Sequence, residues 1–422
     1  VNKETDVLER QLDAFYPRLA SWGITRLADT TGLDTLGVPT ASATKPGTSD
    51  GLWVYSGKGG TRAEARLTAI MECLERTAAL WPCEPEWIWS SEQDLGTREE
   101  VWGPDRFTER KRRYDRGSAL PWVKATRYPD GSPVWVPAHY AFSGTAPAEA
   151  GPSPFVLTST NGLAAHTDPD SALLHSLLEL VERHNVSVAE VQASHGGFLP
   201  LANLATKLGL GLDILAGFRD NLDVAHTVDP ETVPKSLQWI LERFAAAGLR
   251  LTIKQIPSHV GLPTFGVAAI EEVGFEQYLG CAGYGCALSK EKALRAALLE
   301  LAQTRATDLQ GAREDRHLVE KRRLTAMPEE HWLASPGTPH SFVEDEAAPV
   351  TGRQALQRVS AALAAAGFAD WAYIAFPRYE GIHACRVFVP GLETWHPSAG
   401  RSDYGAALQT VTGIVMTDAT GP

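Results

Sequence analysis

Glu72 and Glu75 stand three residues apart in TAIMECLER, and Arg76 follows directly. The arrangement returns at Glu179, Glu182 and Arg183. It returns again at Glu300, Gln303 and Arg305, with one carboxylate exchanged for an amide. Residues at i and i+3 share one face of a helix. Five carboxylates gathered from three helices would repel one another, and desolvating each costs several kcal/mol unless a cation answers it. Hard oxygen donors suit Mg2+, which keeps part of its water and bridges to phosphate oxygens. Arginines and glycine-rich turns suit the phosphates themselves. These residue types therefore imply a nucleotide held through metal ions on acidic helices. SGKGGT (Ser56 to Thr61) lacks the Walker spacing, so the site is no P-loop. Glutamate–arginine salt bridges on exposed helix faces would explain any single copy equally well; three matching copies favour a site.

Each copy must ride on a capped helix. Eleven residues before Glu72, Glu179 and Glu300 stand Thr61, Asp168 and Ser289, all helix-capping types. Seven residues before them stand Ala65, Ala172 and Ala293. Thr61 with Glu64 reads as a capping box, and Pro169 occupies a first helical position. Glycine turns precede the caps in SGKGG, NGLAAH and GYGC. Ile70, Leu177 and Leu298 fill equivalent places and are expected on the buried faces. The copies are roughly a hundred residues apart and unequally spaced, which excludes a tandem solenoid.

The remaining chain supplies the scaffold. Apolar spacing predicts a helix over residues 5–22. Turn signals and β-branched residues predict short strands in 23–46, and Gly144 to Pro154 reads as a loop. A helix at Arg353–Ala365 precedes the strands WAYIAFPRY and HACRVFVPGLETW. No stretch has the composition of a flexible linker. The expectation is one integrated α+β catalytic domain, with residues 1–50 joined to the core, 51–395 carrying the catalysis and 396–422 forming a tail.

Composition narrows the class. The chain has 422 residues, 44% hydrophobic and 21% charged, with a net charge of −12. That charge argues against broad binding to nucleic acid or anionic membrane; the basic run Arg106 to Arg116 reads as a solvated face. No apolar run is long enough to span a bilayer, and the first residues lack a signal-peptide core. Five cysteines without a CxxC pair fit a reducing cytoplasm. Cys73, between two glutamates, is expected to face the core. His175, four residues before Glu179, is either a structural histidine or a neighbour of the phosphates.

These motifs resemble the YcaO family. Its ATP-site pattern is matched by Thr68-x3-Glu72-x2-Glu75-Arg76. Its second motif resembles Asn161 to Ala165 followed by Glu179, Glu182 and Arg183, and its third resembles Glu300, Gln303 and Arg305. The family's GKG turn is similar to Gly57-Lys58-Gly59, and its N-terminal lysine to Lys3, whereas a nearby serine is replaced by Arg10. The likeness runs from roughly residue 3 to residue 395 with the motifs in order. It implies a YcaO-type fold of mixed and antiparallel sheets packed with helices, and ATP and Mg2+ as cofactors. It further implies metal ligation by Glu72, Glu75, Glu179, Glu182 and Glu300. Nucleotide contacts are implied for Lys3, Ser56, Lys58, Thr68, Glu72, Arg76, Asn161, Arg183, Gln303 and Arg305, the last three arginine and glutamine positions being catalytic.

The reaction that the resemblance implies is ATP-dependent O-phosphorylation of a backbone amide in a precursor peptide. Attack by a substrate side chain gives an azoline, attack by an amine gives a cyclic amidine, and attack by sulfide gives a thioamide. The tail VMTDATGP lacks the Pro-x-Pro-x-Pro ending of ring-forming members, leaving the proton-transfer group unassigned. The branch indicated contains stand-alone enzymes and those helped by a TfuA-like protein, with a homodimer expected. A non-catalytic nucleotide-binding scaffold is the remaining alternative, and intact metal-ligand motifs speak against it.

Overall fold

The computed structural model describes residues 3–82, 87–107, 114–155, 159–195, 223–274, 277–311, 331–345 and 350–393. The 396–422 tail, Cys83 and most of the basic run after Phe107 lie outside the described residues. The described residues form an α+β architecture, with three antiparallel sheets among them and helices packed on these. The chain divides into two units. One comprises Val1–Leu180, Leu299–His317 and Ala347–Gly391; the other comprises Val181–Leu298, Leu318–Glu346 and Leu392–Pro422. Two of the boundaries between these units, after Leu180 and after Leu298, fall inside long helices.

The first unit opens with α1 (Lys3–Phe15). The predicted helix ends earlier than residue 22, because Pro17 lacks an N–H and turns the chain into a 3-10 turn at Tyr16–Arg18. Strands β1 (Arg26–Asp29), β2 (Thr40–Thr44) and β3 (Val54–Lys58) form a three-stranded sheet in that order. Helix α2 (Arg62–Ala78) follows β3 directly. A second sheet has the order β4 (Ile88–Ser91), β5 (Ala119–Tyr128), β12 (Trp371–Phe376), β13 (His383–Phe388) and β7 (Leu163–His166), with β6 (Pro133–Pro137) added to β5. Short helices α3 (Glu92–Gly96) and α4 (Ala138–Ala141) join these strands. The core of this unit runs from Phe15 and Trp22 through Ile70, Cys73 and Leu74 of α2 to Phe376 and Phe388.

The second unit contains a sheet of order β11 (Gln277–Cys286), β10 (Thr264–Gly274), β9 (Arg250–Ile256) and β8 (His226–Thr227). The first seven residues of β10 are all buried, the sign of a strand covered on both faces. Helix α6 (Lys235–Ala246) buries Leu237, Ile240, Leu241 and Phe244 at helical spacing. Helices α5 (Pro169–His195) and α7 (Lys290–Gln310) each run through both units, and α8 (Gly352–Ala365) completes the first.

The internal repeat is a structural unit. β3, β7 and β11 each lead through a one- or two-residue turn into a capped helix: α2, α5 and α7. Thr61 accepts from the Glu64 N–H at 3.1 Å, Asp168 from the Ser171 N–H at 2.8 Å, and Ser289 from the Lys292 N–H at 3.4 Å. The repeated alanine makes the first helical hydrogen bond, back to the cap carbonyl, in all three copies. Ile70, Leu177 and Leu298 are fully buried. Four residues before the cap, Gly57 and Gly285 press their strands onto the helix backbone. A Cβ on Gly57 would stand 2.7 Å from Ala69 Cβ and nearer still to the Ala65 carbonyl oxygen; a Cβ on Gly285 would stand 2.6 Å from the Ala297 nitrogen. The repeated alanines Ala65, Ala172 and Ala293 are all buried.

Candidate active site

Strand alternation decides what β3 presents. Gly57 faces α2. Ser56 and Lys58 face the opposite side, where they meet the C-terminal half of α7. Gln303 Nε2 donates to the Ser56 carbonyl at 2.6 Å, and Thr307 Oγ1 and Ser56 Oγ are hydrogen-bonded at 3.0 Å. Lys58 Nζ reaches Glu300 Oε2 at 2.8 Å, and the two side chains are 26% and 25% exposed. Thr68 Oγ1 grips both polar groups of the Lys58 main chain, accepting from its N–H at 2.8 Å and donating to its carbonyl at 2.7 Å. The predicted nucleotide contacts Ser56, Thr68 and Gln303 are therefore engaged in holding the strand that carries Lys58.

On α2, Thr68, Glu72, Glu75 and Arg76 lie within an arc of about 100°, at about 100° per residue. Arg76 Nε pairs with Glu72 Oε1 at 3.0 Å, and Arg76 Nη2 reaches Thr160 Oγ1 at 3.4 Å. The NGLAAH turn serves two carboxylates at once. The Gly162 N–H donates to Glu179 Oε2 at 2.9 Å, and the Ala165 N–H donates to Glu75. Only glycine fits at 162: its φ is +78°, and a Cβ would stand 2.6 Å from the Val387 carbonyl oxygen. Asn161 forms the turn with Gly162. The Glu75 carboxyl is pushed well above the ordinary range, first by burial and then by the charges of Glu72 and Glu179; Arg76 and the Ala165 N–H act in the other direction. Glu72 and Glu179 are thus each close enough to repel Glu75.

The donor set fits Mg2+. These are hard carboxylate oxygens, one of them carrying an unfavourable charge that a dication would relieve. Among the described residues no three His, Cys, Asp or Glu side chains are gathered tightly enough to hold a metal ion by themselves. The arrangement is looser than the cage expected from the motifs. It suits an ion that takes one or two carboxylates and completes its shell with water and phosphate oxygens.

Glu182 and Arg183 continue α5 into the second unit. Arg183 Nε lies 3.8 Å from Glu182 Oε1, and Glu182 is buried. One turn further, the Asn185 amide donates to Ser258 Oγ at 3.0 Å and Thr264 Oγ1 at 2.8 Å. His184 is fully buried, and its Nδ1 accepts from the Glu393 N–H at 3.0 Å. Burial first and His259 second hold this imidazole down to about 4, so it is neutral.

Arg305 departs from its two counterparts. Arg76 and Arg183 follow their first glutamate by four residues, a rotation of about 40°, whereas Arg305 follows Glu300 by five, a rotation of about 140°. Its Nε bonds both oxygens of Asp34, at 3.0 and 2.8 Å, and the two side chains are only 8% and 5% exposed. Asp34 escaped the sequence reading, for it lies in the turn GLDTLG with no spacing that ties it to residue 305. The Lys3 side chain lies outside the described residues. His175 sits edge-on to His166, with ring centroids 5.5 Å apart. Cys73 is fully buried, and its thiol is pushed up to about 12, chiefly by burial, as a core residue requires. The four described cysteines are all buried, and none forms a disulfide among the described residues.

Comparison with known proteins now decides the family. The profile of the YcaO cyclodehydratases, described as ATP- and Mg2+-binding, matches residues 56–393. The chain belongs to the YcaO family. ATP and Mg2+ are accordingly its ligands. An uncharacterized protein of Methanothermobacter thermautotrophicus is 30% identical over 91% of this chain and 93% of its own length. An uncharacterized protein from the tfuA 3' region of Rhizobium leguminosarum bv. trifolii is 26% identical, over 90% of this chain and 86% of its own. The YcaO structure from Methanopyrus kandleri, bound with AMPPCP and Mg2+, shares the fold with a TM-score of 0.66 at 22% identity, covering 93% of both chains. Among the described residues no helix is long and apolar enough to cross a membrane.

Proposed function

We propose that this YcaO protein phosphorylates a backbone amide oxygen of a precursor peptide with ATP and thereby drives ring closure. The observation that carries this reading is the match of residues 56–393 to the ATP- and Mg2+-binding YcaO cyclodehydratases, with the motif glutamates Glu72, Glu75 and Glu179 brought together beside the NGLAAH turn. Carboxylates gathered in this way suit a site that is completed by a cation. In this reading Glu72, Glu75, Glu179, Glu182 and Glu300 are the carboxylates from which Mg2+ would draw its one or two protein ligands, and its charge would offset that of the phosphates and the departing ADP. Lys58, Arg76 and Arg183 bind phosphate oxygens, with Lys3 and Asn161 completing the nucleotide contacts. Ser56, Thr68 and Gln303 orient β3, and Arg305 acts from its Asp34 anchor. Residues 51–395 form the catalytic domain, in a cytoplasmic homodimer.

An amide oxygen is a poor leaving group, and phosphate is a good one. A substrate thiol, hydroxyl or amine adds to the amide carbon and gives up its proton, and the amide oxygen takes the γ-phosphoryl group from ATP, releasing ADP. The amide nitrogen then expels phosphate and loses its proton, leaving C=N. The chain's task is orientation and charge neutralisation. The relative from a tfuA 3' region supports a second reading, in which sulfide is the nucleophile and a TfuA-like partner assists.

The test is incubation of the full chain with Mg2+, ATP and a candidate peptide. Release of ADP and phosphate must depend on the peptide. Mass spectrometry separates the products: each ring loses one water, whereas a thioamide gains the difference between sulfur and oxygen. Nucleotide binding with no peptide-dependent turnover for any candidate peptide would instead support the scaffold role.

A further inference from the structure

Lys58 and Glu300 lie 242 positions apart and meet at 2.8 Å in a half-buried place. An ammonium is a compact point charge with three donors. On a carboxylate it occupies lone pairs that a dication would need. Arg76 Nε does the same to Glu72 at 3.0 Å. Both cations stand where the proposed metal ligands are, and both are also the groups suited to phosphate.

We propose that Lys58 is a resident counter-ion of Glu300, and that its exchange makes divalent metal and nucleoside triphosphate bind jointly. The proposal rests on the ATP- and Mg2+-binding reading of this same site. A dication arriving alone must evict the ammonium from Glu300 and leave it stranded beside a new positive charge. A triphosphate arriving alone must approach carboxylates while Lys58 is still engaged with one of them. Arriving together, the dication takes the carboxylate and the phosphates take Lys58, so every charge keeps a partner. The exchange needs only a side chain to swing. Thr68 clamps the Lys58 main chain at both its N–H and its carbonyl, and Gly57 is pinned against α2, so the strand itself stays in place. Thermodynamic linkage makes the coupling reciprocal: metal strengthens nucleotide by the factor by which nucleotide strengthens metal.

Binding to the full chain tests this without turnover. A non-hydrolysable ATP analogue is titrated by calorimetry with and without Mg2+, and binding of Mn2+ alone is followed by electron paramagnetic resonance of the free ion. The wild-type chain should bind the analogue about 100-fold more tightly with metal, and Lys58→Met should reduce that factor below about 10-fold. Lys58→Met should also bind Mn2+ alone more tightly than the wild type, because the ammonium no longer competes for Glu300. A merely structural ion pair predicts the opposite, a weakened site. Glu300→Gln provides the mirror test: it frees Lys58 and should strengthen analogue binding in the absence of metal. Unchanged or weaker Mn2+ binding by Lys58→Met, or no metal-free gain in Glu300→Gln, overturns the exchange while leaving the proposed function intact. Failure of the wild-type chain to bind the analogue with metal overturns both.

Discussion

Replacing Gly57 by alanine asks how much the site depends on the close approach of β3 and α2. The new methyl would stand 2.7 Å from Ala69 Cβ and closer still to the Ala65 carbonyl oxygen and the Ala69 nitrogen. Carbon atoms rest about 3.5–4.0 Å apart, so strand and helix must separate by roughly 1 Å. Inserting a methyl into packed structure costs about 1–3 kcal/mol. Two of the three neighbours are backbone atoms, which no rotamer change can move aside, so the expected cost is at the upper end, about 3 kcal/mol. At about 2–4 °C per kcal/mol, the melting temperature should fall by about 6–12 °C. The functional loss should be larger than stability alone implies, since Lys58 is the next residue and a misplacement of about 1 Å can cost about 100-fold. Differential scanning calorimetry with calorimetric titration of Mg2+ and a non-hydrolysable analogue reads both effects. Ala69→Gly in the same chain relieves one contact of the three and should not restore either property. A Gly57→Ala protein that melts within about 2 °C of the parent, with undiminished nucleotide affinity, would refute this account of the strand–helix contact.

Other outcomes follow from the same geometry. Glu75→Gln should abolish metal-dependent nucleotide binding yet stabilise the ligand-free protein at high pH. The raised carboxyl keeps a proton in the folded chain that the unfolded chain releases, so this group's stability falls as pH rises above the ordinary carboxylate range; relative to the parent, the variant should gain more stability at pH 8 than at pH 5 in urea melts. His184 has the opposite sign, being depressed to about 4 from 6.5, so its contribution is intact above the unfolded value and lost as pH falls towards the folded one. Roughly 3 kcal/mol should disappear between pH 7 and pH 4, and His184→Asn should flatten that slope in acid-dependent denaturant melts. Asp34→Asn leaves the Arg305 guanidinium buried without its carboxylate and should cost about 3–5 kcal/mol in the same melts; an effect below about 1 kcal/mol would show that the pair is not the anchor of this segment.

Much of this protein was legible along the chain. The three capped helices, their buried apolar positions and the acidic faces all depend on residues within four of each other, where helical geometry makes sequence spacing a direct statement about space. The caps at Thr61, Asp168 and Ser289 and the burial of Ile70, Leu177 and Leu298 follow from that locality. Family membership was legible for the same reason, since the motifs are short local strings. What spacing could not reveal was how each side chain would be paired. Arg305 seemed a third copy of Arg76, but one extra residue turns it by about 100° to Asp34. Spacing also could not show that Thr68 and Gln303, two of the expected nucleotide contacts, also hydrogen-bond the strand that carries Ser56 and Lys58. Nor did composition reveal that unit boundaries would fall within α5 and α7 rather than in a linker. Sequence alone determined which residues share a helix face, because that is set by the backbone's own period. Tertiary structure decided which faces meet, because Lys58 and Glu300 are brought together only when strand alternation, the glycine contacts and the burial of distant helices are satisfied at once.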